Sequence, residues 1–128
     1  MFISELSKKL NITKRAIRHY EDVGIIKSNR MNNNYRYFDE LNIDKLKFLV
    51  RARKLGFSLE ECKELITLFK NNNRKSEHVR NIAKNKLASI TKQINELKDL
   101  KTSLEWLVKK CPGNDKPDCP IISELAKD

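Results

Sequence analysis

Two cysteines, Cys111 and Cys119, are the residues best suited to chemistry, and each is followed directly by a proline. Proline biases the preceding residue towards extended backbone, and Pro112-Gly113 is typical of a turn. The segment spans about 26 Å when extended, so it must double back to bring its two sulfur atoms together. Two thiolates with no obvious third ligand suit a soft ion of low coordination number, above all Cu(I). Structural zinc normally takes four ligands.

Three other interpretations of this cysteine pair stay open: a structural disulfide, a redox switch and two cysteines that only pack. An odd count of three cysteines and a reducing compartment disfavour the disulfide. Cys62 falls on the apolar face of a predicted helix, where packing is its expected role. Neither Cys62 nor His19, which lies on a predicted basic helix, is a convincing further ligand.

A second group of candidate residues is basic. The chain of 128 residues has 27 Lys and Arg against 17 Asp and Glu, a net charge of +10 that favours a polyanionic partner. Lys14, Arg15 and Arg18 lie off the apolar stripe of a predicted helix and can face a major groove. Tyr35 and Arg36 border a polar loop and can reach phosphates. The predicted DNA-binding residues are Thr13, Lys14, Arg15, Arg18, Tyr20, Tyr35, Arg36 and Arg53.

Short helices must position these basic residues, because the first 111 residues contain no proline. Ile3, Leu6 and Leu10 form one apolar stripe, and Thr13 is a good N-cap for a second helix that stops near Gly24. Two short helices joined by a tight turn indicate a helix-turn-helix. Residues 35–38 form a predicted strand of a small hairpin, with Ile25 and Ile26 near the other strand.

Two further helices complete a predicted DNA-binding domain over residues 1–70. Asp39 can cap the third helix, which Gly56 ends and which carries a basic cluster of Arg51, Arg53 and Lys54. The segment Ser58–Glu61 fits a capping box for the fourth helix. A polar joint at 71–73 follows.

A long fifth helix is predicted over residues 76–110, with Ser76 as a candidate cap. Its apolar residues recur at steps of three and four, which keeps them on one seam: Val79, Ala83, Leu87, Ile90, Ile94, Leu97, Leu100, Leu104 and Leu107. A rod of about 50 Å cannot bury this seam alone. We therefore expect a two-fold homodimer, the alternative being a helix folded onto its own N-terminal domain. Residues 111–128 form a predicted metal-binding loop and a short C-terminal helix.

Four segments resemble the N-terminal signature of the MerR (mercury-resistance regulator) family: Thr13-Lys-Arg-Ala-Ile-Arg-His-Tyr-Glu21, Gly24-Ile-Ile, Tyr35-Arg36 and Gly56-Phe-Ser-Leu59. The resemblance implies a mainly α fold with a winged helix-turn-helix domain and an antiparallel coiled-coil dimer. It also implies an operator inside a promoter with an over-long spacer. By this resemblance Arg15 and Arg18 belong to the recognition helix, while Tyr35, Arg36 and Arg53 contact the DNA backbone. Phe38 stands where a Tyr is frequent in relatives, so no hydroxyl contact is assigned to it.

The cysteine loop is similar to that of the copper-responsive (CueR-like) branch of this family. In the mercury and zinc sensors a third cysteine begins the dimer helix, and Ser76 stands at the matching position here. The resemblance therefore implies Cu(I), Ag(I) or Au(I) rather than Zn(II) or Hg(II). Two thiolates and one monovalent ion leave a net charge of −1, which the helix start at Ser76 and nearby Arg80 are expected to offset. His78 stays open as an added ligand.

These features predict a metal-responsive regulator that binds promoter DNA as a dimer. When Cu(I) orders the loop, we expect Ile121, Ile122 and Leu125 to dock against the dimer helix or the partner's domain. The DNA is then distorted so that RNA polymerase can use the promoter. The open alternatives are a cytosolic copper buffer or chaperone, and a MerR-type regulator of oxidants, another metal or an organic ligand. An organic-ligand sensor would usually need a further domain.

Several observations predict a cytoplasmic protein that is not an enzyme. No apolar run approaches the roughly 20 residues of a membrane-spanning helix. Glu5, Lys8 and Lys9 occupy the place where a signal peptide would need apolar residues. No nucleophile–base pair or phosphate-binding loop is recognisable.

Overall fold

Six helices and one short hairpin make up the chain in a computed structural model that describes residues 1–128. The elements in chain order are α1 (Ile3–Leu10), α2 (Lys14–Asp22), β1 (Asn29–Arg30), β2 (Arg36–Tyr37), α3 (Glu40–Lys54), α4 (Leu59–Phe69), α5 (Ser76–Lys110) and α6 (Pro120–Leu125). The prediction of a mainly helical chain with a long fifth helix is confirmed.

Two units, Met1–Asn81 and Ile82–Asp128, divide the chain, and each is described by itself. Their boundary lies inside α5 and not in the polar joint before it, because the start of α5 packs on α4. Val79 of α5 lines one cleft together with Leu65 and Phe69 of α4. The first turn of the long helix therefore belongs to the N-terminal unit.

Side-chain caps start three helices of the N-terminal unit, α2, α3 and α4, whereas α1 has none. Thr13 accepts a hydrogen bond from the Ala16 N–H at 3.0 Å, and Asp39 accepts one from the Asn42 N–H at 3.0 Å. Ser58 and Glu61 form a complete capping box at the start of α4. Each cap satisfies backbone donors that the first helical turn leaves unpaired. These caps therefore set where α2, α3 and α4 begin.

The core of the N-terminal unit is contributed by all four of its short helices and by the segments around the hairpin. Its fully buried side chains are Leu6, Ile17, Ile26, Phe38, Leu46, Leu49 and Cys62. Buried Asn42 ties the hairpin's base to α3, since its Oδ1 accepts the Lys27 N–H at 2.9 Å and its Nδ2 donates to Asp39 at 2.7 Å. The hairpin is thus anchored to the helix behind it.

The two strands form the predicted small hairpin, called the wing below (residues 29–37). Asn29 pairs with Tyr37 and Arg30 with Arg36, so β2 falls within the predicted strand over residues 35–38, while Ile25 and Ile26 precede the partner strand and are not part of it. Both isoleucines are buried in the core, whereas successive strand residues point to opposite faces. They follow a tight turn at Gly24, whose φ of +84° favours glycine. Ile25 closes that turn by donating to the Tyr20 carbonyl at 3.1 Å.

In the unit Ile82–Asp128, neither α5 nor α6 contains a buried residue. Large apolar side chains along α5 stay exposed, with Leu97 at 64% and Leu104 at 58%. α6 lies beside the end of α5, and Glu124 shares a cleft with Trp106 and Leu107. None of the helices combines the length and the apolar character that crossing a membrane requires.

Candidate functional site

The exposed face of α2 carries the predicted recognition residues. Lys14, Arg15 and Arg18 are exposed, while Ile17 between them is fully buried. The first turn of α2 contains no acidic residue. Cations there oppose the helix dipole and disfavour the helix by about 0.3–1 kcal/mol each. Their position is therefore better explained by an anionic partner than by stability.

Two further residues of the predicted DNA-binding set have structural roles on α2. The Thr13 hydroxyl oxygen caps the helix, and its O–H can still act as a donor. Tyr20 is half-buried and packs against the core. The core therefore covers part of the Tyr20 ring, and the contact of Tyr20 with DNA stays a prediction.

The wing presents Tyr35, whose side chain is 64% exposed. Arg30 closes the tip of the wing by donating from Nη1 to the Asn34 carbonyl at 3.0 Å. Arg30 was not among the predicted residues, although it adds an exposed positive charge beside Tyr35. A basic residue inside an otherwise polar loop was the only signal for it in the sequence.

Arg53 lies in the last turn of α3 and is exposed. Its Nη1 donates to the Phe57 carbonyl at 3.1 Å, which ties the guanidinium to the turn before α4. Arginine has five N–H donors, so this bond leaves others for a phosphate. The structure places the predicted residues in one unit, on α2, the wing and the end of α3.

Arg36 is less exposed than the other predicted DNA-binding arginines, because it pairs with Glu21 of α2. The Arg36 Nε and Glu21 Oε2 atoms are 2.8 Å apart, and the two side chains are 24% and 21% exposed. The Ser28 hydroxyl donates to the other oxygen of the same carboxylate. Sequence reasoning missed this role of Glu21, since nothing in the sequence pairs two residues so far apart.

Cys111 and Cys119 are brought together in the second unit. Their sulfur atoms are 3.3 Å apart, and both thiols are partly exposed and free. A disulfide would need a separation of about 2.05 Å. The prediction that the loop doubles back is confirmed.

Helix ends on both sides hold this pair in place. The Cys111 N–H donates to the Leu107 carbonyl at 3.1 Å, which attaches it to the end of α5. Cys119 occupies the N-cap position of α6, and Pro120 is the first residue of that helix. Between them Gly113 adopts a φ of +63°, and the Asn114 side chain accepts the Lys116 N–H at 3.0 Å. The turn therefore follows from the residue types of the loop.

The environment of Cys119 favours its thiolate. The backbone N–H of Ile122 lowers the pKa of the Cys119 thiol most, followed by the Cys111 thiol, and the N–H of Ile121 adds a smaller contribution against the effect of burial. A lowered pKa places more of this sulfur in the form that binds soft metals. Cys62, in contrast, is fully buried in the core of the other unit.

Ser76 and Arg80 belong to the N-terminal unit, whereas the two cysteines belong to the second unit, so their predicted role beside the metal stays a prediction. Ser76 is the first residue of α5, whereas Cys111 follows its last residue. Ser76 is thus a helical residue and not the cap that the sequence suggested. His78 pairs with Glu64 of α4, with its Nε2 3.4 Å from the carboxylate oxygen.

Comparison with known proteins places the whole chain in one family. Residues 1–68 match the family model described as MerR HTH family regulatory protein, and residues 43–107 match the model described as MerR, DNA binding. Each match covers more than half of the chain.

Relatives and solved structures agree with this assignment. The chain is 46% identical over 126 residues to the HTH-type transcriptional regulator HmrR of Rhizobium leguminosarum bv. viciae, covering 98% of both chains. It is 40% identical over 127 residues to the HTH-type transcriptional regulator CueR of Salmonella typhimurium, covering 98% of this chain and 92% of that one. The crystal structure of the transcription regulator PbrR691 from Ralstonia metallidurans CH34 in complex with lead(II) matches with a TM-score of 0.84 and 28% identity, covering 98% of this chain and 99% of that one. The chain therefore belongs to the MerR family of helix-turn-helix transcription regulators and is not an enzyme.

Proposed function

We propose that the chain is a metal-responsive transcription activator that binds promoter DNA as a homodimer. In this proposal Cys111 and Cys119 bind Cu(I), with Ag(I) and Au(I) as ions of the same preference. The observation that carries the proposal is the pair of free thiols 3.3 Å apart in a loop held between two helices. A promoter-bound regulator works beside the bacterial chromosome, so we place it in the cytoplasm.

The chemistry of the donors favours a monovalent soft ion. No cluster of three or more His, Cys, Asp or Glu side chains surrounds the thiols of the single chain, and zinc normally takes four ligands. If the zinc–thiolate length of roughly 2.3 Å is taken as a guide, linear coordination needs sulfur atoms about 4.6 Å apart. The cysteines must therefore separate by about 1.3 Å from the observed 3.3 Å on binding. That displacement is how metal binding would move the loop and α6.

The negative charge of a metal bound by two thiolates needs compensation. In an antiparallel pair of α5 helices, the start of one helix lies beside the end of the other. The helix N-terminus at Ser76 of the partner subunit and the cation of Arg80 of the partner subunit would then approach the loop. In this proposal each metal site therefore combines the loop of one subunit with the helix start of the other.

The exposed seam of α5 supports the dimer. Leu87, Leu97 and Leu100 are 64%, 64% and 61% exposed in the single chain. A long apolar stripe of this kind is typical of an association surface. A second copy of α5 supplies the complementary seam with two-fold symmetry.

Activation requires the loop to alter the DNA-bound dimer. Ile122 and Leu125 of α6 are exposed, so they can dock on the dimer helix or on the partner's domain once the loop is ordered. Distorting a short DNA site costs on the order of 1–6 kcal/mol, which is comparable to typical coupling free energies between ligand sites. Metal binding can therefore shift the promoter towards the geometry that RNA polymerase uses.

Two measurements on reduced protein test the proposal. Competition titration with Cu(I), Zn(II) and Pb(II) should show one Cu(I) per subunit and much weaker binding of the divalent ions. Cys111→Ser and Cys119→Ser should each lower Cu(I) affinity by more than about a hundredfold, since both remove a direct ligand. Cys62→Ala is the matched control and should keep Cu(I) affinity.

Binding to a DNA duplex in a gel shift distinguishes a regulator from a copper buffer. Wild-type protein and both cysteine variants should retain the same duplex from a random-sequence library in a gel shift, because operator binding does not need the thiols. Cu(I) binding without retention of any preferred duplex would favour a buffer or chaperone. Tight zinc binding that excludes Cu(I) would contradict the proposed sensor.

A further inference from the structure

Glu21, near the end of α2, contacts two other segments of the N-terminal unit. One carboxylate oxygen accepts the hydroxyl of Ser28, in the loop that leads to the wing. The other lies 2.8 Å from Nε of Arg36, in the second strand of the wing. A single carboxylate therefore connects the predicted recognition helix with both sides of the wing.

Burial makes the two charges of this ion pair depend on each other. The Arg36 Nε and Glu21 Oε2 atoms are both buried and neither has a hydrogen-bond partner, so the 2.8 Å contact between them is an ion pair. A buried charge without a partner is strongly unfavourable, so each atom depends on the other for compensation. Without the carboxylate, the guanidinium would have to move outwards to regain water.

The ion pair with Glu21 engages only one nitrogen of the Arg36 guanidinium. The ion pair uses Nε, while a guanidinium carries four more N–H donors on its two terminal nitrogens. Its planar fork suits bidentate contact with a phosphate once one edge is fixed. Holding Nε beside the carboxylate therefore restricts the directions in which the terminal nitrogens can point.

We infer that Glu21 is a positioning residue for DNA binding: it holds the Arg36 guanidinium towards a phosphate and sets the wing relative to α2. This inference rests on the proposed function, because it needs DNA as the ligand. Glu21 itself does not contact DNA in this account. A carboxylate that acted only as a surface charge would repel phosphate and weaken DNA binding. In this proposal Glu21 instead strengthens DNA binding, because it positions Arg36.

A double-mutant cycle tests the inference on the full-length protein. The probe is a fluorescent duplex selected from a random library by the wild-type protein, and the readouts are Kd by anisotropy and the slope of log K against log salt. The variants are Glu21→Gln, Arg36→Gln and the double variant, with Ser28→Ala as a milder change to the same carboxylate. Glu96→Gln, at an exposed position of α5, is the control for the same change in charge.

Glu21→Gln should raise Kd about tenfold, and in the Arg36→Gln background it should change Kd less than about twofold. The slope of log K against log salt for Glu21→Gln should become shallower, towards that of Arg36→Gln. Arg36→Gln should release about 1.8 fewer counterions per dimer on binding DNA, at roughly 0.9 for each of two lost phosphate contacts. Ser28→Ala should raise Kd by a smaller factor, and Glu96→Gln should leave Kd nearly unchanged.

A steeper salt slope with an unchanged or lower Kd for Glu21→Gln would overturn the inference, because it would mean that only a repulsive charge was removed. An equal loss of affinity in both Arg36 backgrounds would overturn it as well, since Glu21 would then act through the fold. Urea unfolding of each variant identifies a fold defect, and the charge-neutral double variant keeps the cycle interpretable. If the wild type retains no duplex at all, the proposed function fails, whereas normal binding by Glu21→Gln overturns only this inference.

Discussion

The two units of the chain differ in where their apolar side chains find partners. In Met1–Asn81, helices α1 to α4 and the wing enclose a core in which Leu6, Ile17 and Phe38 are fully buried. In Ile82–Asp128, no residue of α5 or α6 is buried. The first unit therefore obtains its stability from contacts within the chain. The second leaves its large apolar side chains exposed, an arrangement that fits the proposed pairing of α5 helices and the proposed response to metal.

The cysteines show the same difference at the level of single residues. Cys62 is fully buried on α4, while Cys111 and Cys119 are partly exposed and face each other. The same side chain thus serves as a small apolar residue in one unit and as a candidate metal ligand in the other. Environment, and not residue type, separates the two roles.

Truncating one large apolar residue in each unit should have the largest effect and is the strongest test of the difference between the units. Phe38→Ala should lower the free energy of unfolding of the N-terminal unit by about 3–5 kcal/mol, because it opens a cavity in a packed core. Leu104→Ala should leave that unit unchanged and destabilise the protein only at concentrations where the dimer forms. Urea unfolding at low and high protein concentration measures both effects. A large effect of Leu104→Ala that does not depend on concentration would contradict the contrast.

Charge on the α5 seam should dissociate the dimer without unfolding the N-terminal unit. The double change Leu100→Glu and Leu104→Glu places like charges in the paired seam, and we expect the dimer Kd to rise at least about a hundredfold, equivalent to about 2.7 kcal/mol. Lys92→Glu changes the net charge by the same amount at an exposed position off the seam. Sedimentation equilibrium should find a weakened dimer for the first variant only. A wild-type monomer would refute the seam as an interface.

Removing cysteines in the absence of metal sharpens the comparison between the units. Cys62→Ala should cost about 1–2 kcal/mol of unfolding free energy, because it leaves a small cavity in the core. Cys111→Ala should cost less than about 0.5 kcal/mol, since the residue is partly exposed. Urea unfolding of metal-free, reduced protein checks both values. Similar losses of unfolding free energy for Cys62→Ala and Cys111→Ala would show that the loop is packed like the core.

The smallest expected effect concerns pH and the cap of α3. The pKa of Asp39 is lowered chiefly by the backbone N–H of Asn42, then by the Asn42 side chain. A lowered pKa in the folded state means that the cap stabilises the protein above the ordinary Asp value of 3.8 and loses this contribution as pH falls through the folded pKa. Asp39→Asn keeps a good cap without a titrating group. Its stability should therefore fall less than that of the wild type between pH 6 and pH 3.

Local signals in the sequence predicted much of the fold. Thr13, Asp39 and Ser58 are good N-cap residues placed before apolar stripes, and all three cap the helices predicted for them. The repeat of apolar residues at steps of three and four predicted a fifth helix over 76–110, and the structure gives the same bounds. Caps and periodicity act over a few residues, which is why they can be recognised without tertiary information.

Long-range contacts could not be predicted in the same way. The two-residue strands of the wing are too short for an alternating pattern, so Asn29 and Arg30 were not recognised as the partners of residues 36–37. The pairing of Glu21 with Arg36 joins a helix to a strand across an intervening loop. The prolines and Gly113 indicated that the cysteine loop turns back, but the sulfur separation of 3.3 Å is a property of the fold alone.

The central claim is that the thiol pair of one unit controls a promoter bound by the other. In vitro transcription by bacterial RNA polymerase, from the promoter that the wild-type protein binds, tests this claim directly when Cu(I) is added to wild type, Cys111→Ser and Cys119→Ser. We predict strong Cu(I) induction for the wild type and none for either variant, with equal promoter occupancy in all three. Induction that persists in both variants, or that does not need Cu(I), would contradict the account.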